Sequence, residues 1–220
     1  MKTKEFLRKH PISKEWQKWM RGHTDMSDVW DALVEKGPLS LMLDILACPG
    51  VFDIRELGKF ACAVVRETPL SDGRFLFDLL EDSQLSKAFV IAEQFPDGKI
   101  SDAEMMEPIR EALGVNPVFD ETPVSSRWSA RSAAANAILA AAGDALVLDG
   151  LIGGAYYARY ATEMAYETVY RAHTEMNAVS AAKGKATSPV GYAMDACVRT
   201  HMELLSQLSN PFKKGDSSGK

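Results

Sequence analysis

Apolar residues recur three and four positions apart along most of this chain, and the period-two alternation of a half-buried strand is nearly absent. That repeat predicts an all-α protein of about nine or ten helices. Two short helices are expected at 4–10 and 14–21, divided by Pro11, which ends a helix at the residue before it. "DVWDALVEK" forms the next, with Ser27 as cap and Gly37 as stop, and "PLSLMLDILA" follows with its proline at a tolerated first-turn position. "DIRE", from Asp53 to Glu56, resembles a capping box, and Ile54, Leu57, Phe60, Ala61 and Val64 then fall on one helix face. "GRFLFDLLED" and "SQLSKAFVIAEQF" continue the helical pattern. "PDGK" is a turn, and "SDAE" is a capping box for a helix that reaches Leu113, stops at Gly114 and carries a kink signal at Pro108.

"GVNPVFDETPVSS", with prolines at 117 and 123, reads as a linker. It divides one helical domain, 1–215, into short helices over 1–114 and long alanine-rich helices over 125–210. In the second part a helix is expected from about 126, a break near 143–154, a long helix to about 182, and a last helix over 189–208. "KKGDSSGK", 213–220, reads as a flexible tail.

The longest apolar run, "AILAAAGDALVLDGLIGGAYY" at 137–157, has the length of a membrane span. Asp144 and Asp149 argue against one, because a carboxylate near a bilayer centre costs roughly 2.5–3.5 kcal/mol. Its glycines fit neither the GxxxxGK[ST] nor the GxGxxG phosphate loop. The run therefore reads as a helix with glycine interruptions, or as two helices joined near Gly150. A self-associating scaffold built on this segment is one functional alternative.

The expected long helix has two faces. At 100° per residue, Ala158, Ala161, Ala165, Val169, Ala172, Met176 and Val179 form a small-residue stripe that lets another helix approach closely. Opposite lie Tyr156, Tyr160, Glu163, Glu167, Tyr170 and Thr174, with His173 at the edge. Tyrosines supply rigid contact area and the glutamates supply charge for a cationic partner, so this stripe is a candidate recognition surface or ligand pocket. The same residues would equally serve as a second packing layer, their carboxylates meeting arginines such as Arg127 or Arg131.

Charge is unevenly spread over the 220 residues. The formal net of −5 divides into +5 over residues 1–22 and −10 over the rest. Within 72–107, nine acidic residues outweigh three basic ones, among them Asp72, Asp78, Glu81 and Asp82. Such a region would steer a basic protein partner or serve simply as a solvated surface. "WQKW" interleaves Trp16 and Trp19 with basic residues, yet the acidic remainder repels phosphate, so docking of that helix on the body is expected rather than nucleic-acid binding.

No catalytic constellation is visible. GxSxG is missing, none of the four histidines has a glutamate three residues before it, and neither a metal site nor a cofactor is expected. Cys48, Cys62 and Cys197 are far apart and odd in number, which reads as reduced thiols on apolar faces and a cytoplasmic compartment. The basic N-terminus lacks the apolar core of a secretory signal.

The order of "VWDALVEKGPLSLMLDIL", "RELGKFACAVVRE", "SKAFVIAEQFPDGKISDAEM", an alanine-rich half and "HMELLSQLSNPF" resembles a group of bacterial alanine-rich, all-helical proteins. They are mostly uncharacterised, and some are classed as immunity proteins of polymorphic toxin systems. The resemblance spans roughly residues 28–212 and carries no catalytic motif. It implies a non-enzymatic interaction protein that neutralises a toxin, and the acidic body adds the expectation that this partner is basic. A helical enzyme or small-ligand receptor on the Tyr/Glu face is the rival expectation, and a homo-oligomer is compatible with both.

Overall fold

A computed structural model describes residues 1–81, 83–114, 125–143 and 153–213. Among these residues the chain forms ten α-helices and no strand. They are α1 (Thr3–Lys9), α2 (Lys14–Met20), α3 (Met26–Lys36), α4 (Leu39–Leu46), α5 (Ile54–Glu67), α6 (Gln84–Ala92), α7 (Asp102–Gly114), α8 (Ser126–Ala142), α9 (Gly154–Ala182) and α10 (Val190–Gln207). A 3₁₀ turn, Leu76–Leu80, stands where "GRFLFDLLED" reads as a helix. The Asp78 carboxylate accepts the Phe75 N–H at 2.8 Å and caps the start of that turn, and Glu81, at φ 51°, ends it.

Local chemistry sets most boundaries. Asp53 accepts the amides of Arg55 and Glu56 to open α5, and Ser101 and Glu104 exchange hydrogen bonds to open α7. The start of α3 differs from expectation. Asp25, not Ser27, holds the cap position, and its side chain makes no capping bond because its carboxylate takes Lys2 Nζ at 3.0 Å. Residues 115–124 and 144–152, which hold the expected linker and the Gly150 break, lie outside the described residues, as does the tail from 214.

Helix α8 is the centre of the molecule. From Ser132 to Ala142 only Asn136 is not buried, so this helix is covered on every side. The first part of the chain reaches it through α5, α6, α7 and the 3₁₀ turn, and the second through α9. Alanines let the backbones close in. A side-chain carbon added to Gly58 of α5 would lie 2.8 Å from Ala141 Cα, so α5 and α8 touch backbone to backbone there. Gly143 ends α8 in the left-handed region at φ 55°, under Ile54.

The basic arm docks as expected. Phe6, Ile12 and Met20 are buried, and Trp16 and Trp19 pack half-buried against the core. The end of the described chain returns to the same layer. Phe212 meets Phe6 edge-on at 5.7 Å between centroids, and Asn210 donates to Asp31 at 2.8 Å. All three cysteines are free and buried. No helix among the described residues is long and apolar enough to cross a membrane.

Candidate functional site

Helix α9 runs for 29 residues, roughly 43 Å at 1.5 Å per residue. Its small-residue stripe is buried from Ala158 to Val169 and emerges at Val179. The opposite face is open. Tyr156, Tyr160, Tyr166 and Tyr170 are 39%, 37%, 42% and 48% exposed, and Tyr156 and Tyr160 stack with centroids 4.5 Å apart. Tyr166 joins the expected set because it lies one turn before Tyr170 on the same side. The hydroxyl of Tyr160, then desolvation, push the Tyr156 phenol up to about 12.

The carboxylates of this face are paired within their own helix. Glu163 accepts Arg159 Nε at 2.7 Å, and Glu167 lies 2.5 Å from Arg171 Nη2. Arg127 meets Glu81 instead of a residue of α9. The face is therefore aromatic with neutralised charges, rather than acidic.

The acidic stretch is likewise answered in space. Glu93 holds Arg66 through two bonds at 2.8 and 2.5 Å, and Arg66 also lies 3.6 Å over the Phe77 ring. Asp97 takes Lys59 and Lys99 at 2.6 and 3.0 Å, which hold the pKa of its carboxyl down to about 2. Glu107 pairs with Arg110. Asp72 is bound by Arg74, whose guanidinium lowers its pKa, and Asp78 caps the 3₁₀ turn. Lys59, Arg66, Arg110 and Arg127 come from outside the 72–107 stretch, so its sequence charge overstates its field. Asp82 lies outside the described residues.

His173 departs most from the expected placement. It is 2% exposed and turned off the tyrosine face, because the Leu70–Arg74 turn and the segment before α10 cover it. Its Nδ1 lies 2.7 Å from Ser71 Oγ and its Nε2 lies 2.9 Å from the Ser188 carbonyl. A carbonyl only accepts, so Nε2 carries the proton and Nδ1 receives the Ser71 hydroxyl. Asn177 holds the same loop by donating to the Ser188 carbonyl at 2.8 Å and accepting its amide at 3.2 Å. Ser71 itself is exposed on its turn. It lines a cavity of about 310 Å³ with Asp72, Arg74, Ala172, Met176 and Val179. Thus Ser71, unannounced in the sequence, links the buried His173 to the cavity that Asp72 lines.

A second cleft, of about 530 Å³, opens between α4, α9 and α10. Arg159 crosses it, donating Nη1 to Asp44 at 2.7 Å as well as Nε to Glu163. Leu39, Leu43, Val198 and Tyr166 complete its walls, with His201 behind. His201 is fully buried, and burial pushes its pKa down to about 4. Its Nε2 is 2.8 Å from Thr68 Oγ1, which in turn lies 2.6 Å from the Val64 carbonyl. The single Thr68 proton goes to that carbonyl, so the imidazole donates and the threonine accepts.

Among the described residues no group of three His, Cys, Asp or Glu side chains is arranged to hold a metal ion. Comparison with known proteins finds no matching family model, no similar curated protein and no matching solved structure.

Proposed function

We propose that this chain is an interaction protein that docks a folded protein partner on the tyrosine face of α9. One observation carries the reading: four tyrosines, each more than a third exposed, share one face of a helix that is anchored in the core along its other side. Tyrosine joins large apolar area to a polar tip at low entropic cost, and it is enriched where proteins meet. The resemblance to toxin-neutralising helical proteins supports a toxin as the partner class, and the net charge of −10 outside residues 1–22 supports a basic one. The internal pairing of Glu163 and Glu167 makes ring contact, rather than net charge, the source of affinity. Of the segment 137–157, on which a self-associating scaffold would rest, Ala137 to Ala142 are buried within the chain and Tyr156 is exposed.

The test is affinity capture from the source organism, comparing the wild-type protein with the double variant Tyr160→Ala/Tyr170→Ala. A stoichiometric protein lost in the variant is the expected result. Capture that survives both truncations would remove the α9 face as the docking surface.

A second reading rests on the 530 Å³ cleft, whose volume falls in the range of small-ligand sites. There Glu163 and Tyr166 would recognise a small molecule beside Asp44 and Arg159. Mass spectrometry of compounds released from the purified protein would favour this reading if a ligand vanished with Asp44→Asn.

A further inference from the structure

We propose that Ser71 is an activated nucleophile that accepts an acyl group from small apolar carboxylic esters, with His173 as its general base. A hydroxyl is a weak nucleophile until a base takes its proton, and the structural signature is a nucleophile bonded to a base that a third group orients. All three parts are in place. Ser71 Oγ points its proton at His173 Nδ1 over 2.7 Å, and His173 Nε2–H is held by the Ser188 carbonyl at 2.9 Å. Asn177 fixes that carbonyl in turn. The imidazole is buried, whereas Ser71 is an exposed residue that lines the cavity, so the base is held rigidly at a reachable serine.

The surroundings select the substrate. Leu70, Ala172, Met176 and Val179 give the cavity an apolar wall, and about 310 Å³ suits a short acyl chain. Arg74 lines the same cavity, its guanidinium paired with Asp72. Among the described residues the Ser71 amide has no hydrogen-bond partner. That amide is the donor available to the oxygen that becomes negative during attack.

The step balances without a cofactor. Ser71 Oγ bonds to the ester carbonyl carbon while its proton moves to His173 Nδ1. The carbon–oxygen bond to the leaving alcohol then breaks, and Nδ1 returns the proton to that oxygen. Water, deprotonated by the same nitrogen, releases the carboxylic acid and restores the serine.

The test uses the full chain and an alkyl fluorophosphonate, whose phosphorus the same oxygen attacks with loss of fluoride. Intact-mass and peptide mass spectrometry read the product. The expected result is one adduct per chain, on Ser71, with Ser126 and Ser180 of the same cavity unmodified. Ser71→Ala abolishes it, and His173→Gln slows it about a hundredfold or more, the usual worth of a positioned base. Because His173 is buried, Ser71→Thr serves as a second variant that keeps the hydroxyl and the fold. It should retain slower labelling on residue 71. Hydrolysis of p-nitrophenyl butyrate should follow the same order across the variants. A folded wild-type protein left unmodified at Ser71, or labelled equally in His173→Gln, would overturn the proposal.

Discussion

Two buried histidines, His173 and His201, use nearly the same parts to opposite ends. Each sits on a long helix, each is bonded to a hydroxyl, and a backbone carbonyl completes each set. The difference is where the carbonyl stands. At His201 it takes the proton of Thr68, so the hydroxyl must accept from the imidazole, and its oxygen is sealed in the core. At His173 it takes the proton of the imidazole, so the serine must donate and its oxygen faces a cavity. Moving one carbonyl from the hydroxyl to the ring reverses the direction of proton donation. The first arrangement fastens α10 to α5, and the second prepares a hydroxyl for attack.

The largest expected effect lies on the sealed side. His201→Ala removes a fully buried ring and strands Thr68, and should cost about 3 kcal/mol in denaturant unfolding at pH 7.5. A drop below about 1 kcal/mol would mean that the ring is not packed as described.

Next comes pH. His201 falls from 6.5 to about 4 on folding, so the unfolded chain binds the proton first. Its contribution is complete above pH 6.5 and is lost as pH falls from 6.5 through about 4. Between pH 7.5 and 5 the wild type should lose about 2 kcal/mol more than His201→Gln, because each tenfold difference in proton affinity is worth about 1.4 kcal/mol. Parallel stability curves for the two proteins would contradict the sealed, neutral imidazole.

Thr68→Val keeps the shape but leaves the His201 Nε2–H without its acceptor, at a cost of about 1.5 kcal/mol. Nitrogen-15 NMR checks the proton's place: the protonated nitrogen should be Nε2 in the wild-type protein and move in the variant.

The smallest change belongs to Ser71→Ala, about 0.5 kcal/mol or less in the same unfolding assay, because an exposed hydroxyl stabilises little. A large loss there would recast the Ser71–His173 bond as a structural tie like the one at Thr68.

The helical fold was legible because its signals are local. Pro11, Asp53 and the Ser101/Glu104 box act within a few residues of themselves, and the helices start and stop close to where these residues indicate. The grouping of the tyrosines was legible too, since a 100° step places Tyr156, Tyr160 and Tyr170 together whatever lies opposite, but that this face stays open was not. The failures are long-range. His173 sits at the margin of that face, and only the Ser71 turn, 102 residues away, decides that it faces inward. Nothing in "TPLSDGRF" marks Ser71 as more than a turn serine. The acidic stretch misled for the same reason, because Lys59, Arg66, Arg110 and Arg127 reach it through space rather than along the chain.

The three buried thiols make the molecule its own gauge of local opening. Burial raises Cys48 to about 11 and Cys197 to about 12, and pushes Cys62 up as well. At neutral pH each sulfur is therefore a protonated thiol, slow toward alkylating reagents until its surroundings part. Cys48 follows α4, Cys62 lies mid-way along α5 and Cys197 lies on α10. Their alkylation rates thus report separately on the N-terminal layer, the centre and the C-terminal helix, without any label being introduced.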